Sequence, residues 1–181
     1  MSGPSGRAIV IGGSLAGLFA GLLLRRQFAV DIYERADAEL AGRGAGIVTH
    51  PLLWEALDAA GIAWRQDRQD RGVRDRSVHN LGIEVRTRRF FDRDGRLALE
   101  YPYRQTVTAW DCLYDMLRRA FPVAHYHRAK ELVAIEERPD GVAARFADGS
   151  VAEGDMLIGA DGLRSTVRAQ FLPEVTPIYV G

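Results

Sequence analysis

A glycine-rich turn near the start of the chain has the residue types and the spacing of a phosphate-binding loop. In order, the turn contains Gly12, Gly13, Ser14, Leu15, Ala16 and Gly17. Gly12 permits a sharp turn, and Gly17 permits close packing of the helix that follows. Backbone N–H groups at a helix N-terminus bind anions, so this segment is predicted to bind a phosphate. Ser14 replaces the usual middle glycine, and its hydroxyl is an additional donor to a phosphate oxygen.

A carboxylate follows at the position where dinucleotide-binding units carry one. Glu34 comes 22 positions after Gly12 and ends the alternating stretch Val30 to Glu34. In strand–helix–strand units of this kind, that acid accepts hydrogen bonds from a ribose diol. The glycine motif by itself is also typical of a tight strand-to-helix turn that binds no ligand. The acid in register with the turn favours a dinucleotide site.

A second carboxylate, Asp161, follows the apolar stretch Met156 to Ala160 and precedes Gly162. Ligands of open α/β sheets bind at the carboxyl ends of the strands. The alternative is that Asp161 only caps the next helix, which is predicted from Leu163 to Phe171. The presence of the first motif favours a ligand contact.

The elements that must position these residues alternate between strand and helix at the start of the chain. The run Ala8 to Ile11 is apolar throughout, which is typical of a strand buried on both faces of a parallel sheet. A helix is predicted from Leu15 to Gln27, and the second strand is Val30 to Glu34. Pro51 is well placed to begin a further helix, which Gly61 would end.

The middle of the chain departs from this alternation. A hairpin is predicted over 81–103, a helix with a buried apolar and aromatic stripe over 111–120, and a β-meander over 131–153. The predicted fold class is therefore α/β, with a Rossmann-like parallel sheet and an inserted antiparallel hairpin and meander. Residues 1–181 are predicted to be one nucleotide-binding domain.

Composition excludes several classes of partner. Lysine plus arginine equals aspartate plus glutamate, at 24 each, so neither nucleic acid nor an anionic membrane is expected to bind. No apolar run approaches the ~20 residues of a membrane span. Cys112 is the single cysteine, which rules out an internal disulfide and fits a cytoplasmic protein. No metal site is predicted.

The two motifs together resemble those of the FAD-dependent aromatic hydroxylases, the single-component group that includes p-hydroxybenzoate hydroxylase. Gly12 and Gly17 match the first motif of that family, and Asp161, Gly162, Ser165 and Arg168 match its D-G-x-x-S-x-x-R motif. Several stretches are similar to the 2,6-dihydroxypyridine 3-hydroxylase branch. They are Gly13 to Leu15, Tyr33 to Arg35, Gly42 to Val48, Tyr126 to His127, and Leu132 to Val133.

The resemblance implies that residues 1–181 are a truncated FAD-binding domain, in which residues 81–103 begin the substrate-side sheet. It implies FAD as the cofactor and assigns its contacts. Ser14, Leu15 and the neighbouring backbone N–H groups would hold the pyrophosphate, Glu34 the adenosine ribose, and Asp161, next to Gly162, would contact the FAD. Arg35 would lie beside the adenine, and Leu132 or Val133 would flank it through the backbone. Arg43, next to Gly44, would reach the phosphates or ribose. Many members have a flavin-contacting arginine where this chain has Trp110, and Gln105 is assigned in its place.

The resemblance also implies a reaction. NADPH or NADH would reduce the flavin, and dioxygen would then hydroxylate an electron-rich aromatic ring, such as a hydroxypyridine or a phenol. The family's third motif, G-D-A-A-H, is missing, so the chain is expected to be the N-terminal part of a longer enzyme. No catalytic base is assigned.

The apolar end of the chain, Ile178 to Val180, favours self-association, with a homodimer as the simplest outcome.

Two alternatives remain open at this point. One is a nucleotide-binding module without turnover of its own. The other is a flavin-free NAD(P)-dependent dehydrogenase, which predicts strands and helices that continue to alternate after Glu34.

Overall fold

The computed structural model describes residues 5–40, 42, 46–49, 51–65, 79–80 and 82–178. They form two compact units: Met1–Leu40 with Leu117–Gly181, and Ala41–Met116. In chain order, the strands are β1 (Arg7–Ile11), β2 (Ala29–Tyr33), β3 (Gly46–Val48), β4 (Trp64–Arg65), β5 (His79–Asn80), β6 (Ile83–Phe91), β7 (Leu97–Ala109), β8 (Tyr126–His127), β9 (Leu132–Arg138), β10 (Gly141–Phe146), β11 (Val151–Gly154) and β12 (Met156–Gly159). The helices are α1 (Leu15–Leu24), α2 (Pro51–Ala59), α3 (Trp110–Ala120) and α4 (Thr166–Phe171), with one 3₁₀ turn at Val123–His125.

The first unit is built on the predicted parallel sheet, in the order β12-β1-β2-β8. Its central strand β1 is buried from Ala8 to Ile11, as expected for a strand with neighbours on both edges. Helix α1 connects β1 to β2 and packs closely on the sheet. At Gly21 an added Cβ would lie 2.8 Å from the Ile32 side chain, so this contact requires glycine.

The predicted meander is confirmed as a three-stranded antiparallel sheet, in the order β11-β10-β9. Its buried face joins the parallel sheet in one hydrophobic core, formed by Ile9, Ile11, Leu132, Ile135, Ala144 and Phe146. Its other face carries ion pairs between neighbouring strands, such as Arg145 with Glu136. The meander therefore covers one face of the nucleotide unit.

The predicted stripe on α3 is also confirmed as buried. Leu113, Tyr114, Leu117 and Phe121 are each at most 3% exposed. Trp110 stacks on Tyr114 one turn later, with ring centroids 4.8 Å apart.

The second unit contains the predicted hairpin as part of a sheet in the order β3-β7-β6. The turn forms where the sequence predicts it, because the Asp92 carboxylate accepts from the N–H groups of Asp94 and Arg96 at 2.9 Å each. Strand β7 continues beyond the predicted end at Tyr103, since its last residues pair with β3. Strands β4 and β5 form a separate parallel pair.

Two helices are shorter than predicted. Helix α1 ends at Leu24 and not at Gln27, because the Leu24 carbonyl accepts from the N–H groups of both Gln27 and Phe28 and closes the last turn. Helix α4 begins at Thr166 and not at Leu163, because Ser165 is its N-cap. Among the residues described, no helix is long and apolar enough to cross a membrane.

Candidate functional site

The loop between β1 and α1 has the tight geometry that its glycines predict. Gly12 has φ +102°, and an added Cβ would lie 2.3 Å from the Ala160 carbonyl oxygen. At Gly17 an added Cβ would lie 1.8 Å from the Gly12 carbonyl oxygen. No side chain can be accommodated at either position without moving the backbone. The loop is therefore pressed against both the start of α1 and the end of β12.

The N-terminus of α1 leaves its first N–H groups for a ligand. Ser14 is the N-cap, in an extended conformation, and its side chain makes no capping hydrogen bond. The first intrahelical bond runs from the Leu18 N–H to the Ser14 carbonyl, at 2.9 Å. The N–H groups of Leu15 and Ala16 precede that bond and have no intrahelical acceptor. Such a helix end, with its positive dipole, suits a phosphate.

Glu34 lies directly beneath this loop and is bonded to it. Its side chain is buried, at 7% exposure for the residue. One carboxylate oxygen accepts from the Gly13 N–H at 2.7 Å, and the other accepts from the Ala36 N–H at 2.9 Å. Each carboxylate oxygen can accept a second hydrogen bond, so the acid can still receive a ribose hydroxyl.

This geometry limits which N–H donors of the loop are left for a phosphate. The sequence predicts that the backbone N–H groups around Ser14 hold a pyrophosphate. The Gly13 N–H is donated to Glu34. The donors that remain are those of Ser14, Leu15 and Ala16, at the helix end.

Tyr126 is a contact residue of the loop that the sequence does not identify. Its hydroxyl donates to the Gly13 carbonyl at 2.9 Å, and the contact is buried. The Arg118 guanidinium lies over its ring, 4.1 Å from the centroid. The sequence gives Tyr126 only as part of the stretch Tyr126 to His127, which is similar to the 2,6-dihydroxypyridine 3-hydroxylase branch, and assigns it no role.

Asp161 lies at the carboxyl end of β12, as predicted, and its carboxylate caps α4. One oxygen accepts from the Ser165 hydroxyl at 2.6 Å, and the other accepts from the N–H groups of Thr166 and Val167 at 2.7 and 3.2 Å. The Asp161 backbone N–H lies next to Gly12, within 2.9 Å of the position a Cβ would take there. Gly162 follows in an exposed left-handed conformation, with φ +76°. The two motifs of the sequence thus meet in the folded unit.

The two residues assigned to the adenine side differ in environment. Leu132 belongs to the core shared by the two sheets, whereas Val133 is 54% exposed. Arg35, next to Glu34, is exposed as well.

The other assigned residues belong to the second unit. Gln105 accepts from the Arg88 guanidinium at 2.7 Å, and Arg88 also lies over the Tyr103 ring. Gln105 is therefore already engaged within its own sheet. Arg43 and Gly44 lie outside the described residues.

Two histidines of the first unit contact the carboxylate of Asp31 at the edge of the sheet. Asp31 is 3.1 Å from His125 Nδ1 and 2.7 Å from His127 Nε2. The His127 ring stacks on Tyr33. Burial raises the pKa of the Tyr33 phenol, and the nearby Asp31 carboxylate raises it further, against a smaller lowering by Arg7. In the described part of the chain, no group of three or more His, Cys, Asp or Glu residues is arranged to hold a metal ion.

Comparison with known proteins identifies the family to which a chain with this loop and acid belongs. The sequence profile of the FAD binding domain family matches residues 6–175, which is nearly the whole chain. The chain belongs to the FAD binding domain family. The resemblance drawn from the two motifs is confirmed, and a flavin-free dehydrogenase is not carried further.

Individual members of the family agree with this assignment. The chain is 34% identical to the 2,6-dihydroxypyridine 3-monooxygenase of Paenarthrobacter nicotinovorans, over 100% of this chain and 42% of that protein. It is similar to the structure of 2,6-dihydroxypyridine-3-hydroxylase from Arthrobacter nicotinovorans, with a TM-score of 0.78 and 34% identity over 99% of this chain and 42% of that one. The structure of HpxO from Klebsiella pneumoniae, complexed with FAD and uric acid, is similar with a TM-score of 0.72 and 25% identity, over 95% of this chain and 43% of that one.

These similarities confirm the predicted fold class and FAD as the cofactor of the family. The chain spans about 42% of the length of the Paenarthrobacter nicotinovorans protein.

Proposed function

We propose that this FAD binding domain holds the adenylate and pyrophosphate of FAD in a monooxygenase that hydroxylates an electron-rich aromatic ring. The observation that carries the proposal is the buried Glu34 carboxylate, bonded to the loop at Gly13. A ribose bound by this carboxylate would lie directly beside the helix end that is proposed to bind the phosphates. The substrate proposed is a hydroxylated pyridine or a phenol, and the co-substrates are dioxygen and NADPH or NADH.

The pyrophosphate would be bound by the N–H groups of Ser14, Leu15 and Ala16 and by the Ser14 hydroxyl. The hydroxyl is available because it makes no capping bond to the helix. Gly12 and Gly17 keep the chain close enough to the sheet for these groups to converge. The residues present therefore fit a dinucleotide, even though serine replaces the usual middle glycine.

The remaining contacts are proposed on the resemblance and on the places of the residues in the fold. Arg35 and Val133, both exposed, would flank the adenine, with Leu132 contributing only its backbone because its side chain is in the core. Asp161 and Gly162 would border the flavin end. Arg43, Gly44 and Gln105 stay proposals for the phosphate and flavin contacts from the second unit.

When bound, FAD supplies the hydride acceptor and the activation of dioxygen that hydroxylation requires. The part of this chain is to bind and orient it. Glu34 fixes the ribose, and the end of α1 fixes the phosphates. The Asp161 carboxylate fixes the start of α4, and so the course of the chain beside Gly12.

The aromatic substrate class is proposed from the relatives and not from a pocket. The relative from Paenarthrobacter nicotinovorans is a 2,6-dihydroxypyridine 3-monooxygenase, and the HpxO structure is complexed with uric acid. Dihydroxypyridine and uric acid are both electron-rich nitrogen heterocycles. We also propose a homodimer and a cytoplasmic location. Cys112 supports the location, because a single cysteine cannot form an internal disulfide.

A titration of the 181-residue chain with FAD tests the proposal. The anisotropy of flavin fluorescence should rise on binding, and ADP should displace FAD because the contacts lie on the adenylate side. Riboflavin, which lacks that side, should not compete. Failure of FAD to bind, or equal displacement by riboflavin and ADP, would contradict the proposal.

A further inference from the structure

The carbonyl oxygen of Gly13 has a dedicated donor. The Tyr126 hydroxyl reaches it at 2.9 Å, and Tyr126 is only 7% exposed. A Cβ at Gly13 would lie 2.2 Å from that hydroxyl oxygen, so the loop rests directly on the phenol. A hydrogen bond in such a buried place is costly to remove, because the carbonyl would be left without a partner.

The bond fixes more than one carbonyl group. A trans peptide is planar, and its C=O and N–H point in opposite directions. No cis peptide occurs among the described residues. With the Gly13 carbonyl turned to Tyr126, the Ser14 N–H of the same peptide must point the other way. The preceding peptide is fixed in turn by Glu34, through the Gly13 N–H. Two successive peptides of the loop are therefore set by side chains from the strand β8 and the end of β2.

Arg118 strengthens this arrangement from behind the ring. Its guanidinium carbon is 4.1 Å from the Tyr126 ring centroid, and its side chain is 13% exposed. A cation over an aromatic face is attracted by the ring and draws electron density from it, which makes the phenol O–H a better donor. Within the described chain, Arg118 Nε is buried without a hydrogen-bond partner, and its nearest acid, Glu39, is 4.0 Å away. Besides its contact with the ring, the guanidinium donates from a terminal nitrogen to the Phe121 carbonyl at 3.4 Å.

We propose that Tyr126, under the Arg118 guanidinium, is a positioning residue for pyrophosphate binding. Its hydroxyl sets the Gly13–Ser14 peptide so that the Ser14 N–H points at the phosphate. This role rests on the proposed binding of FAD by the loop. It adds a specific donor and a cation behind it, neither of which contacts the ligand.

The first test is Tyr126→Phe in the 181-residue chain, which keeps the ring under Arg118 and removes only the hydroxyl. We expect the dissociation constants of FAD and ADP to rise about tenfold, the effect of losing roughly one buried hydrogen bond. The dissociation constant of adenosine, measured by competition with FAD, should stay within twofold. A merely structural role would weaken ADP and adenosine alike, and that result would overturn the proposal. Tyr33→Phe is the matched control, because Tyr33 lies in the same sheet and stacks on His127 and Phe146.

The second test is a double-mutant cycle with Arg118→Met, which keeps a long side chain over the ring and removes the charge. Alone, Arg118→Met should raise the FAD dissociation constant about threefold. In the Tyr126→Phe background it should have no further effect, because Arg118 acts through the hydroxyl. Additive effects of the two substitutions would overturn the proposal. It would also be overturned if either single variant had the same FAD dissociation constant as the parent.

A measurement without ligand separates this inference from the proposed function. The ¹³C resonance of the Gly13 carbonyl reports the hydrogen bond directly. It should move upfield in Tyr126→Phe, move the same way by less in Arg118→Met, and stay unchanged in Tyr33→Phe. If Tyr126→Phe does not fold, Arg118→Met gives the same test with the hydroxyl in place. An unchanged resonance would overturn the inference even if FAD binds, whereas failure of the parent to bind FAD would overturn only the proposed function.

Discussion

At the scale of single residues, Glu34 combines two tasks that the sequence presents as one. It is the expected ribose acceptor, and it is also the acceptor for two backbone N–H groups of its own unit. A buried carboxylate is stable only with such partners. The fold therefore requires two hydrogen-bond acceptors at this position, in addition to the acceptor proposed for the ligand.

Glu34→Gln should weaken both properties. Its amide NH₂ would face one of the two N–H donors, at Gly13 or at Ala36, and that donor would lose its acceptor. We expect a loss of about 1–3 kcal/mol in the free energy of unfolding and at least a tenfold weaker binding of FAD. Urea unfolding and FAD titration measure the two effects. Glu131→Gln, at an exposed acid, should change neither, and a parental affinity in Glu34→Gln would refute its assignment to the ribose.

Asp161 presents a choice between a helix cap and a cofactor contact, and two variants separate them. Asp161→Ala removes the acceptor of the Thr166 and Val167 N–H groups, so it should cost about 1 kcal/mol in the free energy of unfolding. Ser165→Ala removes the other cap of the same helix and should cost a similar amount. If Asp161 also contacts FAD, only Asp161→Ala will weaken FAD binding. Equal FAD affinities in the two variants would leave Asp161 as a cap alone.

At the scale of the elements, the sequence predicts best where burial imposes one pattern. The run Ala8 to Ile11, the stripe on α3 and the three meander strands are all where their patterns predict them, because each pattern reports a face removed from water. Helix ends are less well predicted. They depend on single capping bonds, such as those of Ser165 and of the Leu24 carbonyl.

Long-range pairings account for what the sequence does not reveal. Strand β8 has only two residues, and it joins β2 across more than 90 positions of sequence. No local pattern distinguishes so short a strand from a loop. Tyr126 is part of it, so its contact with Gly13 could not be predicted either. The extension of β7 has the same origin, since its partner β3 is a separate three-residue strand.

The turn between β10 and β11 should make the meander sensitive to acid. The Lys130 ammonium, 2.5 Å from the Asp148 carboxylate, and the Ser150 hydroxyl and N–H hold the pKa of Asp148 well below its usual range. A lowered carboxyl pKa in the folded state stabilises the protein above about pH 4. That contribution is lost as the pH falls below this value.

Asp148→Asn should therefore flatten the dependence of stability on pH below about pH 4. Midpoints of urea unfolding at neutral and at acid pH measure the effect. The parent should lose more stability between the two conditions than Asp148→Asn does. Asp140→Asn, in the preceding turn of the meander, should behave as the parent. Equal losses in the parent and Asp148→Asn would refute the prediction.

At the scale of the whole molecule, the chain spans about 42% of the length of the Paenarthrobacter nicotinovorans monooxygenase. We expect it to bind FAD without completing the reaction, because the family's G-D-A-A-H motif is not in this sequence and the flavin would be open to water. The test is oxidation of NADH and NADPH with FAD and 2,6-dihydroxypyridine as the probe. Hydroxylated product in proportion to the nucleotide oxidised would contradict this prediction.

The isolated chain should also self-associate. The sheet of the second unit exposes a set of large apolar side chains: Val48, Ile83, Phe90, Phe91, Leu97, Leu99 and Tyr103. In the other unit, Ile178 is 83% exposed. Large apolar side chains exposed in this number favour association.

Light scattering behind a sizing column, at several protein concentrations, measures the association. We expect a dimer or larger species that Phe91→Lys shifts toward the monomer, because Phe91 pairs with Leu97 on the exposed sheet. Phe171→Lys changes an exposed phenylalanine of the first unit and should have less effect. A monomer at every concentration would contradict the prediction.

The lysine that pairs with Asp148 is the single lysine of the sequence, against 23 arginines. Amine-reactive dyes and cross-linkers thus have one side-chain target, Lys130. Its backbone N–H is bonded to the Glu34 carbonyl at 2.9 Å, and the N–H of the preceding Ala129 is bonded to the Ala36 carbonyl. A fluorophore attached to that amine would sit on the segment paired with Glu34, the proposed ribose acceptor. The composition of the chain therefore provides a site-specific optical reporter of the proposed nucleotide site, without any engineered cysteine.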